Sequence, residues 1–327
     1  MANVKLFLLL FGVTQTVFVL LDFYELWRQD GRPSLPAKLR SEWRTFLSLA
    51  IIWLIYFSLQ LGLSAILPSV ERTLAAARHV LSLRSQQPAP FFAHRTALSI
   101  AIGVLTFFVA GFWDYLTHRF LLHSRLAWYL HESHHLPTRV FNGMPGISAR
   151  PFVVFSAFLV NVFSIATMFL LFWMAGHLDL TNLFFETLPA IFFTFAFIGS
   201  ASHSCFLCGY AFANYWPRYL LIITPQEHVL HHAADRQGNF GNFTPLWDRV
   251  FGTYLDPDKF GDPKFGLNYD QDFLGAITAS KWKFSARIRK ELALEKFCYL
   301  EDSPVSATRP AVTTDSNQHL HSEVKSV

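Results

Sequence analysis

Two copies of one histidine pattern carry the chemistry of this chain: His131-Glu132-Ser133-His134-His135 and His228-Val229-Leu230-His231-His232. Both read HxxHH. The pair His118 and His123 lies just upstream of the first, and His203 lies between the two. On a helix, positions i, i+3 and i+4 share a face, so each HxxHH turns three imidazoles one way. Neutral imidazole is a ligand suited to iron, zinc, copper and nickel. Without metal, six buried imidazoles would each demand hydrogen-bond partners. The pattern therefore points to metal ligation, and nine histidines exceed the four ligands of a structural zinc site, which usually include cysteine. Two metal ions fit the number better. His118 and His123 are five residues apart, so both ligate only where their helix ends or distorts.

The ligand set is histidine-rich. Soluble di-iron bundles use four carboxylates with ExxH pairs; Glu132-x-x-His135 matches that string formally, but no set of four carboxylates accompanies it. Cys205-x-x-Cys208 has no second CxxC to complete a zinc site and is read as structural. His177 falls in a turn away from the cluster and is also structural, and His79, His94, His319 and His321 are excluded by position.

The elements that must hold these residues are apolar. Of 327 residues, 52% are hydrophobic and 15% charged, against about 25% charged in an ordinary soluble domain. Uninterrupted apolar runs cover residues 6–24, 46–67, 96–113, 152–175 and 183–200, with Asp22 late in the first and Glu186 early in the last. Each is about long enough to cross a bilayer. The reading is an all-α, polytopic membrane bundle of four to five spans, capped by a helical histidine-rich domain for two metals. Segments 1–95 (anchor spans and loops), 96–256 (catalytic domain), 257–302 (C-terminal extension) and 303–327 (a polar tail with too little apolar content to pack) divide the chain. The runs at 152–175 and 183–200 form a hairpin about Gly176-His177-Leu178-Asp179.

Lys and Arg in short loops set orientation. Arg28, Arg32, Lys38, Arg40 and Arg44 follow the first run, and the histidine regions carry Arg119, Arg125, Arg139, Arg150, Arg218, Arg236 and Arg249. With five spans, these regions face the cytoplasm, in the endoplasmic reticulum or a bacterial inner membrane. Arg72, Arg78, Arg84 and Arg95 lie in a segment (68–95) that this arrangement would put outside, so that segment is either an interfacial helix or the product of a misread span. The net charge of +4 flanks apolar runs, which suits anionic headgroups and not nucleic acid. Residues 281–290 mix basic and apolar side chains and read equally as a segment lying on an anionic membrane surface or as a solvated basic helix.

Several further motifs give the chain a family resemblance. His118-Arg119-Phe120-Leu121-Leu122-His123 is similar to the opening HRxxxH element of fatty acid 2-hydroxylases. Thr224-Pro225-Gln226-Glu227-His228, running on to His232, resembles the last histidine box of sterol desaturase relatives. Asn239-Phe240-Gly241 followed by Trp247-Asp248-Arg249-Val250-Phe251-Gly252-Thr253 resembles the closing signature of the same group. The chain thus resembles, over about residues 113–254, the fatty acid hydroxylase and sterol desaturase superfamily of membrane di-iron oxygenases. The resemblance implies two iron ions (with zinc able to replace them in a purified sample), dioxygen as co-substrate, and hydroxylation or desaturation of a lipid C–H bond. It assigns metal-ligand roles to His118, His123, His131, His134, His135, His203, His228, His231 and His232. Many relatives carry a His-Pro element soon after the first HxxHH; here that stretch is Asn142-Gly143-Met144-Pro145-Gly146. Asn142 reads as a turn residue, with support of a metal-bound water as its alternative. Trp247 and Asp248 read as a packing and capping pair beneath the site. No GxGxxG fingerprint is present, so electrons must come from a separate carrier, cytochrome b5-like or a ferredoxin with its reductase.

Other readings use the same residues. A carotenoid-type hydroxylase shares His-Glu-Ser-His-His but fits the closing signature poorly. A metal-dependent membrane lipid hydrolase would need a general base, Glu132 or Glu227. A metal carrier would set its ionisable groups near the bilayer midplane, whereas these lie at the ends of the runs.

Overall fold

The computed structural model describes residues 2–41, scattered positions between 46 and 65, residues 95–124, 127, 131–135, 154–233 and 237–260. Among these residues the chain is helical and contains no strand. The long helices are α1 (Ala2–Gln29), α3 (Arg95–Leu116), α4 (Val154–Met174) and α5 (Leu180–Ser202). Between the first two comes the short α2 (Leu35–Ser41). A π-helical turn (Thr117–Leu122) continues α3, and a 3-10 turn (Glu132–His135) carries the first histidine box. After α5 come four short helices: α6 (Cys205–Cys208), α7 (Ala211–Tyr219), α8 (Pro225–His231) and α9 (Leu246–Val250).

Four segments are long and apolar enough to cross a membrane: Leu8–Gln29, Arg95–Leu122, Ser156–Met174 and Leu180–Ser202. They coincide with four of the five apolar runs, and the protein is a membrane protein. Most of the run at 46–67 lies outside the described residues, but every described position from 46 to 65 is helical. Two of these described residues pack on α1: Trp53 donates its Nε1–H to Thr16 Oγ1 at 3.1 Å, and the Phe46 ring meets Phe23 edge-on at 5.2 Å. The readings of Asn142, of the arginines from 72 to 84, of residues 281–290 and of the tail also fall outside the described residues.

Lipid, not water, explains the outer surface. Leu9, Val13, Val17 and Leu20 on α1, Val104 and Leu105 on α3, and Phe158, Val162 and Leu170 on α4 are exposed on one molecule, a pattern that water would penalise. Inside, Ile102, Met168, Phe172, Leu183 and Phe184 form a core where α3 meets the α4–α5 hairpin. The hairpin closes tightly at 175–179, with the Gly176 and His177 amides donating back to Trp173 and Phe172 carbonyls. Hydroxyls within the spans satisfy themselves on their own helix, as Thr106 does on the Ile102 carbonyl and Ser164 on that of Val160; a medium without water demands this.

The histidine domain rests on the ends of these helices. Its closest seat is Gly111 of α3, where an added Cβ would stand 2.5 Å from Thr244 Cγ2. Thr244 is fully buried and has no room to retreat. Gly111→Ala is expected to destabilise the protein by about 1–3 kcal/mol through overpacking. Thermal unfolding in detergent, compared with Gly103→Ala on an open face of the same helix, measures the difference.

Candidate metal centre

All nine sequence-predicted histidines come together, and all are buried. They sort into two groups of four. His118, His123, His131 and His231 form one, and His134, His203, His228 and His232 the other; within each, one ring nitrogen per residue lies within 4.8 Å of the rest. His135 sits between the groups. Its Nε2 is 3.1 Å from that of His131 and its ring stacks on His232 at 4.5 Å.

The expectation that each HxxHH points its three imidazoles one way is corrected here. The first box divides, with His131 in one group and His134 in the other; the second sends His231 to the first group and keeps His228 and His232 in the second. Positions i+3 and i+4 lie on either side of i, about 100° apart around a helix, and the adjacent histidines of each box diverge accordingly: the His134 and His135 rings are 88° apart, and those of His231 and His232 are 89° apart.

The spacing of His118 and His123 is also resolved. The chain there is a π-turn, with the His123 amide donating to the His118 carbonyl at 3.0 Å. That is an i to i+5 bond, and it brings residues five apart onto one side. Their ring centroids are 5.0 Å apart.

Within each group the Nε2 atoms face one another. His118 and His131 are 2.9 Å apart, His203 and His228 2.8 Å, His228 and His232 3.1 Å, and His134 and His203 3.3 Å. Two nitrogens bound to one metal at about 2.1 Å, with angles between 90° and 109°, stand about 3.0–3.4 Å apart. The other nitrogen of three of these rings is fixed by main chain. Nδ1 of His118 lies 2.6 Å from the Phe240 carbonyl, Nδ1 of His203 2.6 Å from that of Gly199, and Nδ1 of His231 3.0 Å from that of Gly238. A carbonyl only accepts, so each Nδ1 carries the proton and each Nε2 offers a lone pair inward. This is how metal-binding histidines are oriented. The donor set fits metal ions: four imidazoles per group, no thiolate and no carboxylate in either.

The closing signature is the clamp that aims the Phe240 and Gly238 carbonyls, while α5 itself carries Gly199. Asp248, fully buried, accepts the Phe240 and Gly241 amides at 2.8 Å each and the Thr253 hydroxyl at 2.8 Å. Asp114 of α3 accepts both the main-chain and side-chain N–H groups of Asn242, at 2.8 and 2.9 Å. Asn239 takes a left-handed conformation (φ 49°), and its amide donates to the Glu227 and Leu255 carbonyls. Gly238 crosses so close to this strand of loop that a Cβ would lie 2.3 Å from the Thr253 carbonyl oxygen. Trp247 holds the base of the clamp, donating to the Phe108 carbonyl at 3.0 Å and packing on Phe112. The pair read as packing and capping from sequence thus supports ligand orientation.

Glu227, a candidate base in the hydrolase reading, is committed elsewhere. It closes a capping box with Thr224 at the start of α8 and accepts from the Tyr254 hydroxyl at 2.7 Å. Burial and the Glu227 carboxylate push the Tyr254 phenol up to about 12, which keeps it a donor. Cys205 and Cys208 are free thiols pushed up by burial, Cys208 to about 12, as inert structural cysteines are. His177 is half exposed and remote from both groups.

Sequence reasoning passed over Asp22. It interrupts the first apolar run, yet it is fully buried and its Oδ1 accepts the Ser204 hydroxyl at 2.6 Å and the Phe206 amide at 3.0 Å. These are the residues directly after His203. A lone carboxylate inside a span is costly and marks a function; that was the available signal.

The family model described as fatty acid hydroxylase matches residues 103–253. Residues 103–253 thus carry a fatty acid hydroxylase family segment, and that family belongs to the fatty acid hydroxylase and sterol desaturase superfamily. The family match and the histidine groups together suggest a membrane lipid hydroxylase, an oxidoreductase of a typically metal-dependent family. No curated protein and no solved structure matches the chain.

Asp248→Ala strips two buried amides, of Phe240 and Gly241, and the half-buried Thr253 hydroxyl of their acceptor, at about 1–3 kcal/mol for each buried group left unsatisfied. The expected result is a lower unfolding temperature together with reduced bound metal, read by calorimetry and elemental analysis. The pH response of the metal-stripped protein follows from the imidazoles. Burial lowers His203 to about 3 and His231 to about 4, and holds His123, His131, His135, His228 and His232 well below 6.5. The unfolded chain therefore binds more protons, and stability is lost as pH falls from about 6.5 toward 3. Asp248, raised by burial to about 6, opposes this as a single group. Unfolding temperature should fall steadily over that window; a flat or rising profile would contradict burial of the neutral rings.

Proposed function

We propose that this protein is a dioxygen-dependent lipid hydroxylase with two iron ions, one held by His118, His123, His131 and His231 and the other by His134, His203, His228 and His232. His135, between the groups, completes the set. The observation that carries the reading is the sorting of buried imidazoles into two four-nitrogen groups free of carboxylate and thiolate, inside the family domain. Iron, rather than zinc, follows from the family. Bound iron supplies dioxygen activation and the oxidising strength to break an unactivated C–H bond.

The chain itself supplies orientation and dryness. Carbonyls of Phe240, Gly199 and Gly238 keep three ligands in one tautomer. Burial of all nine rings excludes water, which would otherwise divert a reactive oxidant. The substrate is a lipid reaching the site from the bilayer. Electrons come from a separate carrier, a cytochrome b5-like protein or a ferredoxin with its reductase. The arginines around the histidine domain support a cytoplasmic placement and could steer an acidic donor.

Cells expressing the native chain or His134→Ala, grown under isotopically heavy dioxygen, would be compared by lipid mass spectrometry. A lipid that gains one heavy oxygen only with the native chain is the expected result and reveals the substrate. Loss of two hydrogens without added oxygen would make the reaction a desaturation. Identical profiles, with equal amounts of both proteins in the membrane and an electron donor present, would sink the oxygenase reading.

A further inference from the structure

α7 has an outer face that the histidine site does not use. Phe212, Tyr215, Trp216 and Tyr219 are 62%, 54%, 66% and 67% exposed. Their spacing, i, i+3, i+4 and i+7, is that of one helix face. The opposite side is buried at Ala213 and Asn214. Tyr219 donates its hydroxyl to that of Tyr215 at 3.0 Å and their rings lie 5.1 Å apart, so the aromatic face is continuous.

The depth of this face follows from hydrogen bonds. Asp22 lies in the span Leu8–Gln29, seven residues before its end, or about 10 Å at 1.5 Å per residue. Its carboxylate holds Ser204 and Phe206, so α6 begins within the last turns of that span. α7 is strapped to α6 by Asn214, whose Nδ2 donates to the Leu207, Cys208 and Tyr210 carbonyls at 3.2, 3.0 and 2.9 Å. Half-exposed Tyr24, its ring tilted against that of Trp27 at 6.2 Å near the end of α1, adds to the same aromatic level. A surface exposed at this depth meets the bilayer. Tyrosine and tryptophan suit the boundary of headgroup and acyl chain, where one end of the ring is dry and the other wet.

We infer that α7 lies flat in the membrane interface, with Phe212, Tyr215, Trp216 and Tyr219 embedded in lipid. The helix is also tied to the metal-site helix: the Gln226 amide, in the first turn of α8, donates to Asn214 Oδ1 at 3.0 Å. A lipid contact on α7 is therefore one side chain removed from the element carrying His228 and His231. This inference stands whether or not the chain is an oxygenase.

The test is site-directed spin labelling of the full chain in phosphatidylcholine–phosphatidylglycerol vesicles. Nitroxides would be placed at W216C and F212C, with K259C, exposed on the 3-10 turn Pro257–Lys259, as the water-facing comparison. The native chain, labelled in the same way, supplies the background of its three cysteines. Collision with dioxygen, which partitions into lipid, is compared with collision with a water-soluble nickel chelate. The expected result is a dioxygen-to-nickel ratio several-fold higher at positions 212 and 216 than at 259. Equal or lower ratios at both positions would mean a water-facing helix and overturn the inference. So would protection from both reagents with spin–spin broadening, which would mean that a second copy of the chain covers α7.

Discussion

An imidazole can serve a metal only if the correct nitrogen is deprotonated and turned inward, and main-chain carbonyls impose that condition here. Phe240, Gly199 and Gly238 each accept from an Nδ1–H and so present an Nε2 lone pair. A carbonyl cannot change role with pH or rotate away as a side chain can. The remaining architecture serves to place these three carbonyls. Asp248 and Asp114 pin the loop that carries Phe240, Asn239 pins the turn after Gly238, and the α5 terminus carries Gly199 one turn before His203.

That arrangement is anchored in the membrane helices. α3 runs without a break into the π-turn of His118 and His123, and α5 ends on His203. Each span thus delivers ligands at one end. Burying so many neutral rings costs hydration, and the apolar helices alone could not offset it by hydrogen bonding. The Phe240, Gly199 and Gly238 carbonyls answer part of that cost, and buried polar residues such as Asp248 and Asn239 hold the loop that carries two of them. The site is best seen as a polar core built on the ends of an apolar bundle.

The N-terminal helix belongs to this construction although it lies outside the matched family domain. Asp22 reaches the residues following His203, and Gln15 bonds the Ser200 hydroxyl. α1 is thus bound to the terminus of α5 at two levels, in addition to anchoring the chain. The same contacts set the depth of α6 and α7, so the geometry of the metal site and of its membrane contact share one support.

Much of this was legible in the residues themselves. The nine histidines, the apolar runs that became α1, α3, α4 and α5 and the α4–α5 hairpin follow from local pattern: spacing, run length and residue type; the Trp247–Asp248 pair was legible through the family resemblance. What only the tertiary structure decided is how those residues are partnered. Each HxxHH is divided between two groups, because its i+3 and i+4 positions leave the backbone in different directions and meet histidines from other elements. The five-residue step from His118 to His123 closes through a π-turn. Asp22 becomes a support because its partner lies in a distant element, and Glu227, whose capping box with Thr224 is local, meets the Tyr254 hydroxyl only on folding. Spacing reports which side chains could face one way; which nitrogen meets which depends on backbone bonds and on contacts more than a hundred residues apart, and these arise only on folding.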